Sequence, residues 1–198
     1  MMKNAILLHG RPPKAEYYDS TQPSCSNAHW FPWLQKQLLV HDIKADTPEV
    51  PFAFSPQWDL WVREVERFDI TPETILVGHS AGGGFWIRYL TEHPEIRAGK
   101  VVLVAPWLNI GREDDIDFLD FDFNGDFLSR LSSLTVFASD NDAPEIRSSV
   151  EFLRGQLPKA NFRDFHGYGH FCFNDLKTDA FPELLEEVLR ADEFPRPE

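Results

Sequence analysis

The chain has 198 residues, 42% of them hydrophobic and 14% aromatic, which predicts one domain over residues 1–198 with a sizeable core. Its formal net charge is −13, and its Lys and Arg form no cluster, which argues against a nucleic-acid partner and against an anionic membrane surface. Cys25 and Cys172 make no disulfide framework, no apolar run reaches transmembrane length and no signal peptide is visible, so a cytoplasmic protein with reduced thiols is expected.

Residues 4–9 read as an apolar strand closed by Gly10, and a polar loop follows over 11–28. Trp30, Trp33, Leu34, Gln37 and Leu38 mark an amphipathic helix, with Asn27 as its expected N-cap. Residues 43–47 read as a weak strand. Ser55-Pro56 opens a helix whose apolar face is Trp58, Trp61, Val62, Val65 and Phe68. Residues 75–77 are a short buried strand, and Phe85, Trp86, Tyr89 and Leu90 recur at helical spacing after it. Pro94 ends that helix, and 100–105 (KVVLVA) is the next strand.

Residues 109–127 break the pattern by alternating acids with Phe and Leu. Residues 120–125 (DFDFNG) copy the first half of a calcium-binding EF-hand loop, but Leu131 stands where the chelating Glu belongs. A surface loop or short helix is expected there, its aromatics packed down, its acids solvated and its body over the nucleophile described below. Residues 135–138 form a strand, and Pro144 opens a helix with Ile146, Val150, Leu153 and Leu157 inward. Residues 161–165 are a last strand, and the final helix carries Phe181, Leu184, Leu185, Val188 and Leu189. Strands that alternate with helices throughout predict an α/β fold: three layers, a mostly parallel sheet of about six strands, and no insertion long enough for a cap domain.

The chemistry centres on residues 78–82 (GHSAG), which fit G-x-S-x-G between a strand and a helix. A sharp turn that strains Ser80 leaves no room for side chains at Gly78 and Gly82. In a parallel sheet the working groups gather at the C-terminal ends of strands. Ser80, an Asp at 140 or 142, and His170 follow strands in the chain order of α/β-hydrolase triads. A serine hydroxyl needs a base within reach, imidazole has a suitable pKa, and a carboxylate fixes its tautomer. The oxyanion donors expected are the backbone N–H of Ala81 and one from the loop after the first strand. Pro12 and Pro13 have none to give, which leaves Gly10 or Arg11, and Arg11 is carried forward. His79 and His9 read as structural, and His29, His41 and His93 as surface residues. Cys172 reads as a buried free thiol, because it lacks an elbow. His166 and His170 have no third ligand beside them, so no metal or other cofactor is expected.

The chain resembles the small serine hydrolases typified by retinoblastoma-binding protein nine and YdeN. The resemblance rests on residues 6–10 (ILLHG), the 30–38 stretch, 76–83 (LVGHSAGG), 100–106 (KVVLVAP), 137–142 (FASDND) and 169–171 (GHF). It implies a minimal α/β-hydrolase sheet and a triad of Ser80, Asp142 and His170, since the family pattern puts the acid just before a helix. It also implies carboxylesterase-type hydrolysis of a small ester, thioester or amide through an acyl-serine. Two other readings stay open: a catalytically weak fold that binds a protein partner through 112–126, and a different reaction on the same fold, such as peptidase or perhydrolase chemistry.

Overall fold

The computed structural model describes residues 3–111 and 117–190. Six strands form one sheet: β1 (Lys3–Leu8), β2 (Ile43–Asp46), β3 (Ile75–His79), β4 (Ala98–Val104), β5 (Leu131–Ser139) and β6 (Asn161–Phe165). Their order is β2-β1-β3-β4-β5-β6, and every neighbouring pair is parallel. The central strands β3 and β4 are buried along their entire length, His79 and Lys100 included, as their largely apolar runs suit.

The helices are α1 (Lys14–Tyr17), α2 (Phe31–Val40), α3 (Trp58–Val65), α4 (Ala81–Glu92), α5 (Pro144–Gln156), α6 (Phe173–Leu176) and α7 (Pro182–Leu189). The chain moves outward from β1 to β2 and then reverses through β3 to β6. Right-handed crossovers therefore put α2 on one face of the sheet and α3, α4 and α5 on the other. On the first face Trp30, just before α2, meets Phe181, just before α7, at 6.1 Å between rings. On the second, Trp58 and Trp61 of α3 lie 5.0 and 5.8 Å from Phe85 of α4. Each such ring, once buried, contributes about 1.5–3 kcal/mol of hydrophobic stabilisation. The reversal occurs at β1, beside β3, with Leu8 in register with Gly78. This is the switch point at which an open parallel sheet leaves a crevice at its C-terminal edge.

Several local expectations need correction. Asn27 does not cap α2; it lies in a 3₁₀ turn, Cys25–Asn27, and Trp30 is the N-cap, with Pro32 in the first turn. The helix after Pro56 starts at Trp58, with Gln57 as N-cap. Strand β5 begins at Leu131, because Ser132 is buried and Ser133 pairs with Lys100. The acidic–aromatic segment does send its aromatics inward: Phe118 and Phe127 are buried. Its described part after residue 116 packs on α4, where Arg88 donates to the carbonyls of Asp117 and Phe118 at 2.7 and 2.9 Å. The EF-hand-like run serves as a cap. The Asn124 side chain accepts from the Asp126 N–H at 2.8 Å and starts a 3₁₀ helix, Gly125–Arg130. Residues 112–116, part of the 112–126 segment, lie outside the described residues. No helix among the described residues is long and apolar enough to cross a membrane.

Candidate active site

Ser80 is the hinge between β3 and α4. Its backbone sits at φ 54° and ψ −119°, a region that costs a non-glycine residue about 1–3 kcal/mol. The surroundings over-determine that conformation. The Ser80 N–H donates to the Val104 carbonyl at 2.9 Å, and its own carbonyl accepts from Gly83, Gly84 and Trp107 at 2.9, 3.1 and 3.0 Å. A Cβ on Gly78 would come within 2.6 Å of the Gly82 carbonyl oxygen and the Trp86 ring, and one on Gly82 within 2.5 Å of the His9 carbonyl oxygen. Both glycines are steric necessities of the turn. Gly10 is a third: a Cβ there would lie 2.9 Å from the Ser80 Cβ, so the loop after β1 passes directly against the serine. Ala81 opens α4, and its N–H precedes the first intrahelical bonds, at the positive end of the helix dipole.

His170 stands in the loop after β6. Its Nδ1–H donates to both carboxylate oxygens of Asp142, each at 3.0 Å. Asp142 is buried, and its Oδ1 also accepts from the Ala143 N–H at 2.7 Å, just before α5. A carboxylate at Nδ1 selects the Nδ1–H tautomer and leaves Nε2 as the acceptor. Asp140 has a different partner. It is exposed, pairs with the exposed His166, and accepts from the Gly167 N–H at 3.0 Å. These hydrogen bonds hold its carboxyl below the usual carboxylate range.

Ser80, Arg11 and His170 lie where two lobes of one cleft meet. One lobe, about 610 Å³, is walled by Asp142, Ile146, Trp107 and Asn109. The other, about 700 Å³, is walled by Pro23, Ala28, His29, Phe31 and Cys172. The Arg11 guanidinium lies over the Trp107 ring at 5.5 Å. His29 is thus a wall of the cleft rather than a surface residue, and burial together with the nearby His170 lowers its pKa.

Two further histidines lie buried behind the site. His9 donates from Nδ1 to the Gly10 carbonyl at 2.8 Å and accepts the Val50 N–H at Nε2 at 3.0 Å, so both nitrogens are used in one neutral tautomer. Glu49 lies 4.0 Å from Nε2 and favours a charge, but burial dominates and lowers the His9 pKa, and the Val50 N–H already occupies the position a second proton would need. His79 is buried and donates from Nε2 to the His170 carbonyl at 2.8 Å. Burial, then repulsion from His170 and His29, holds it well below the usual histidine range. Cys25 and Cys172 are free thiols pushed up to about 12, chiefly by burial, so neither is a nucleophile at neutral pH.

Sequence reasoning missed Asp175, which accepts from the N–H groups of His170 and Cys172, and Asn141, which accepts from that of Gly169. The one available signal for Asp175 was its capping-box spacing from Cys172 at the start of α6.

Comparison with known proteins adds to this geometry. A family model described as serine hydrolase matches residues 21–175. The chain belongs to the serine hydrolase family. YdeN of Bacillus subtilis (strain 168) is 28% identical over 193 residues, which cover 93% of this hydrolase and 92% of YdeN. The solved structure of the Bacillus subtilis ydeN gene product superposes with a TM-score of 0.76 at 22% identity, covering 94% of this chain and 96% of the other. XC6422 of Xanthomonas campestris, an α/β serine hydrolase without a lid, gives a TM-score of 0.56 at 18% identity, covering 94% of this chain and 78% of the other. Est1E of Butyrivibrio proteoclasticus with ferulic acid bound gives 0.61 at 13% identity, covering 95% and 86%. These structural likenesses establish the α/β-hydrolase fold.

Proposed function

We propose that this hydrolase is a cytoplasmic carboxylesterase-type enzyme that cleaves small ester, thioester or amide substrates through an acyl-Ser80 intermediate, with Asp142 and His170 completing its triad. The observation that carries this reading is the buried Asp142 carboxylate on His170 Nδ1, beside a cleft that the imidazole shares with the strained Ser80. In the proposed reaction His170 Nε2 takes the proton of Ser80 Oγ as that oxygen attacks the substrate carbonyl carbon. The carbonyl π electrons move onto the oxygen, and the N–H groups of Ala81 and Arg11 receive the oxyanion; Gly10, packed on Ser80, is the alternative second donor. Collapse of the tetrahedral species expels the leaving group, which takes the proton from His170. Water then attacks the acyl-serine with His170 again as base, releasing the acid and restoring Ser80. The two lobes flanking Ser80 suit a substrate with a group on each side of the scissile bond.

The test is a fluorophosphonate probe together with p-nitrophenyl acetate and butyrate. The wild-type chain should label once, at Ser80, and turn over both esters. Ser80→Ala should lose labelling and lower kcat by roughly 10⁵–10⁶-fold. Stable labelling or retained turnover in Ser80→Ala would overturn the assignment.

A further inference from the structure

The loop that carries His170 is held by side chains at nearly every residue. Tyr168 N–H donates to Ser139 Oγ at 3.0 Å, Gly169 N–H to Asn141 Oδ1 at 2.8 Å and Phe173 N–H to His29 Nδ1 at 3.2 Å. Trp30 Nε1–H donates to the Phe171 carbonyl at 3.1 Å. His170 itself is gripped on both sides of its backbone. Its N–H donates to Asp175 Oδ2 at 2.9 Å, and its carbonyl accepts from His79 Nε2–H at 2.8 Å. The same Asp175 oxygen accepts the Cys172 N–H at 3.2 Å, so it spans the residue after His170 as well.

We propose that His79 and Asp175 are positioning residues that fix the His170 imidazole relative to Ser80. This rests on the acyl-serine reading above. His79 immediately precedes Ser80 at the end of β3, so one buried side chain joins the strand bearing the nucleophile to the peptide bearing the base. Its ring centroid lies 4.8 Å from that of His170. Asp175 reaches the peptide on the other side of His170 from the first turn of α6, and its carboxyl group fills the space that a side chain at Gly169 would need. Asp142 sets which tautomer His170 adopts and how the ring turns about Nδ1. The two backbone contacts set where the ring stands. A displacement of about 1 Å between reacting groups can cost roughly 10²-fold in rate. Asp175 and His79 border the two lobes of the cleft, but the effect acts through the place of the His170 ring, so the cost should fall far more on kcat than on KM.

Four variants test the proposal: Ser80→Ala, Asp175→Ala, Asp175→Asn and His79→Ala. Each is assayed for kcat, KM, probe-labelling rate and melting temperature. Asp175→Ala should lower kcat and labelling rate together by about 10–10²-fold, with KM within a few-fold of wild type. Asp175→Asn keeps an acceptor oxygen and should recover most of that loss. The downfield proton resonance of the His170 Nδ1–H should broaden or shift in Asp175→Ala and His79→Ala, which a mere helix-capping role for Asp175 would not cause. Unchanged kcat and an unchanged resonance in Asp175→Ala, against an inactive Ser80→Ala, would overturn the positioning role and leave the acyl-serine reading standing. An active Ser80→Ala would overturn that reading instead. If removal of the buried His79 ring prevents folding, the Asp175 pair decides the matter, because that residue is exposed and its loss spares the core.

Discussion

Two carboxylates lie within three residues after β5, and their surroundings divide their work. Asp140 is exposed and is held by His166 and the Gly167 N–H, whereas Asp142 lines the lobe that contains Ser80. Asp142 is buried, gives both oxygens to His170 and takes the Ala143 N–H as well. Replacing Asp142 by Asn would put an amide donor or a single acceptor at Nδ1, and the histidine could satisfy it in the wrong tautomer. On the proposed mechanism Asp142→Asn should retain the fold and lower kcat on the order of 10⁴-fold. Asp140→Asn should lie within a few-fold of wild type, since it changes a solvated pair. Steady-state kinetics of the two variants side by side, with circular dichroism to check folding, decides it; a crippling Asp140→Asn beside a mild Asp142→Asn would reverse the assignment. The chain order Ser, Asp, His was legible from the sequence, because each group follows a strand. Which aspartate meets the imidazole was not legible from local spacing, because the contact spans 28 residues and depends on how β5 and β6 present their loops.

At the scale of elements, what could be read was what burial writes into side chains. β3 and β4 carry the apolar runs 75–77 and 101–104, α4 and α7 have apolar faces, and the elbow glycines have no steric substitute. What escaped was held by polar groups acting on backbone atoms. The first residues of β5 read as loop because their serines look solvated, yet β4 covers them. Lys100 opens the strand read from the sequence, which gives no account of its charge. It is buried, and its Nζ donates to the carbonyls of Glu187 and Arg190 at 2.8 and 2.5 Å, closing the C-terminal end of α7. Any backbone carbonyl can accept such a bond, so the partner leaves no signature in the sequence. The buried Glu187 completes the anchorage: it accepts from Thr135 Oγ1 at 2.8 Å and pairs with Arg163 and Arg190 at 3.3 and 2.9 Å. Removing one member of a buried charged network costs about 3–5 kcal/mol, and the exposed edges of both arginines should bring the cost toward the lower end of that range. Glu187→Ala should therefore lower stability in urea by that amount while kcat stays within about twofold, since α7 lies away from the cleft. A loss of kcat without a loss of stability would mean that α7 communicates with the site.

For the whole molecule the buried neutral histidines set an acid limit. His9 and His79 sit behind the serine, and burial holds the pKa of each below its value in an unfolded chain. The unfolded chain takes up these protons near pH 6.5, whereas the folded chain does not until the pH is lower. Between those points the unfolded state binds more protons, so stability rises with pH and falls as the pH drops. The contribution is fully present above about pH 6.5 and is lost as the pH falls through the folded values, at up to about 1.4 kcal/mol per pH unit for each histidine. Groups around the two histidines modulate this without reversing it. Glu49, at 4.0 Å from His9, favours the charged form, while His170 and His29 oppose a charge on His79. The lowered histidine titrations should therefore shape the slope just under pH 6.5. Urea midpoints measured from pH 8 to pH 5.5 should be flat at the upper end and should fall below about pH 6.5. His9→Gln, which removes one of the lowered histidine titrations beside those of His79 and His29, should give a shallower slope over the same range, whatever its effect on stability at pH 8. A stability that rises as the pH drops from 7 to 5.5 would mean that these histidines gain partners on protonation, against the geometry at Val50 and at the His170 carbonyl.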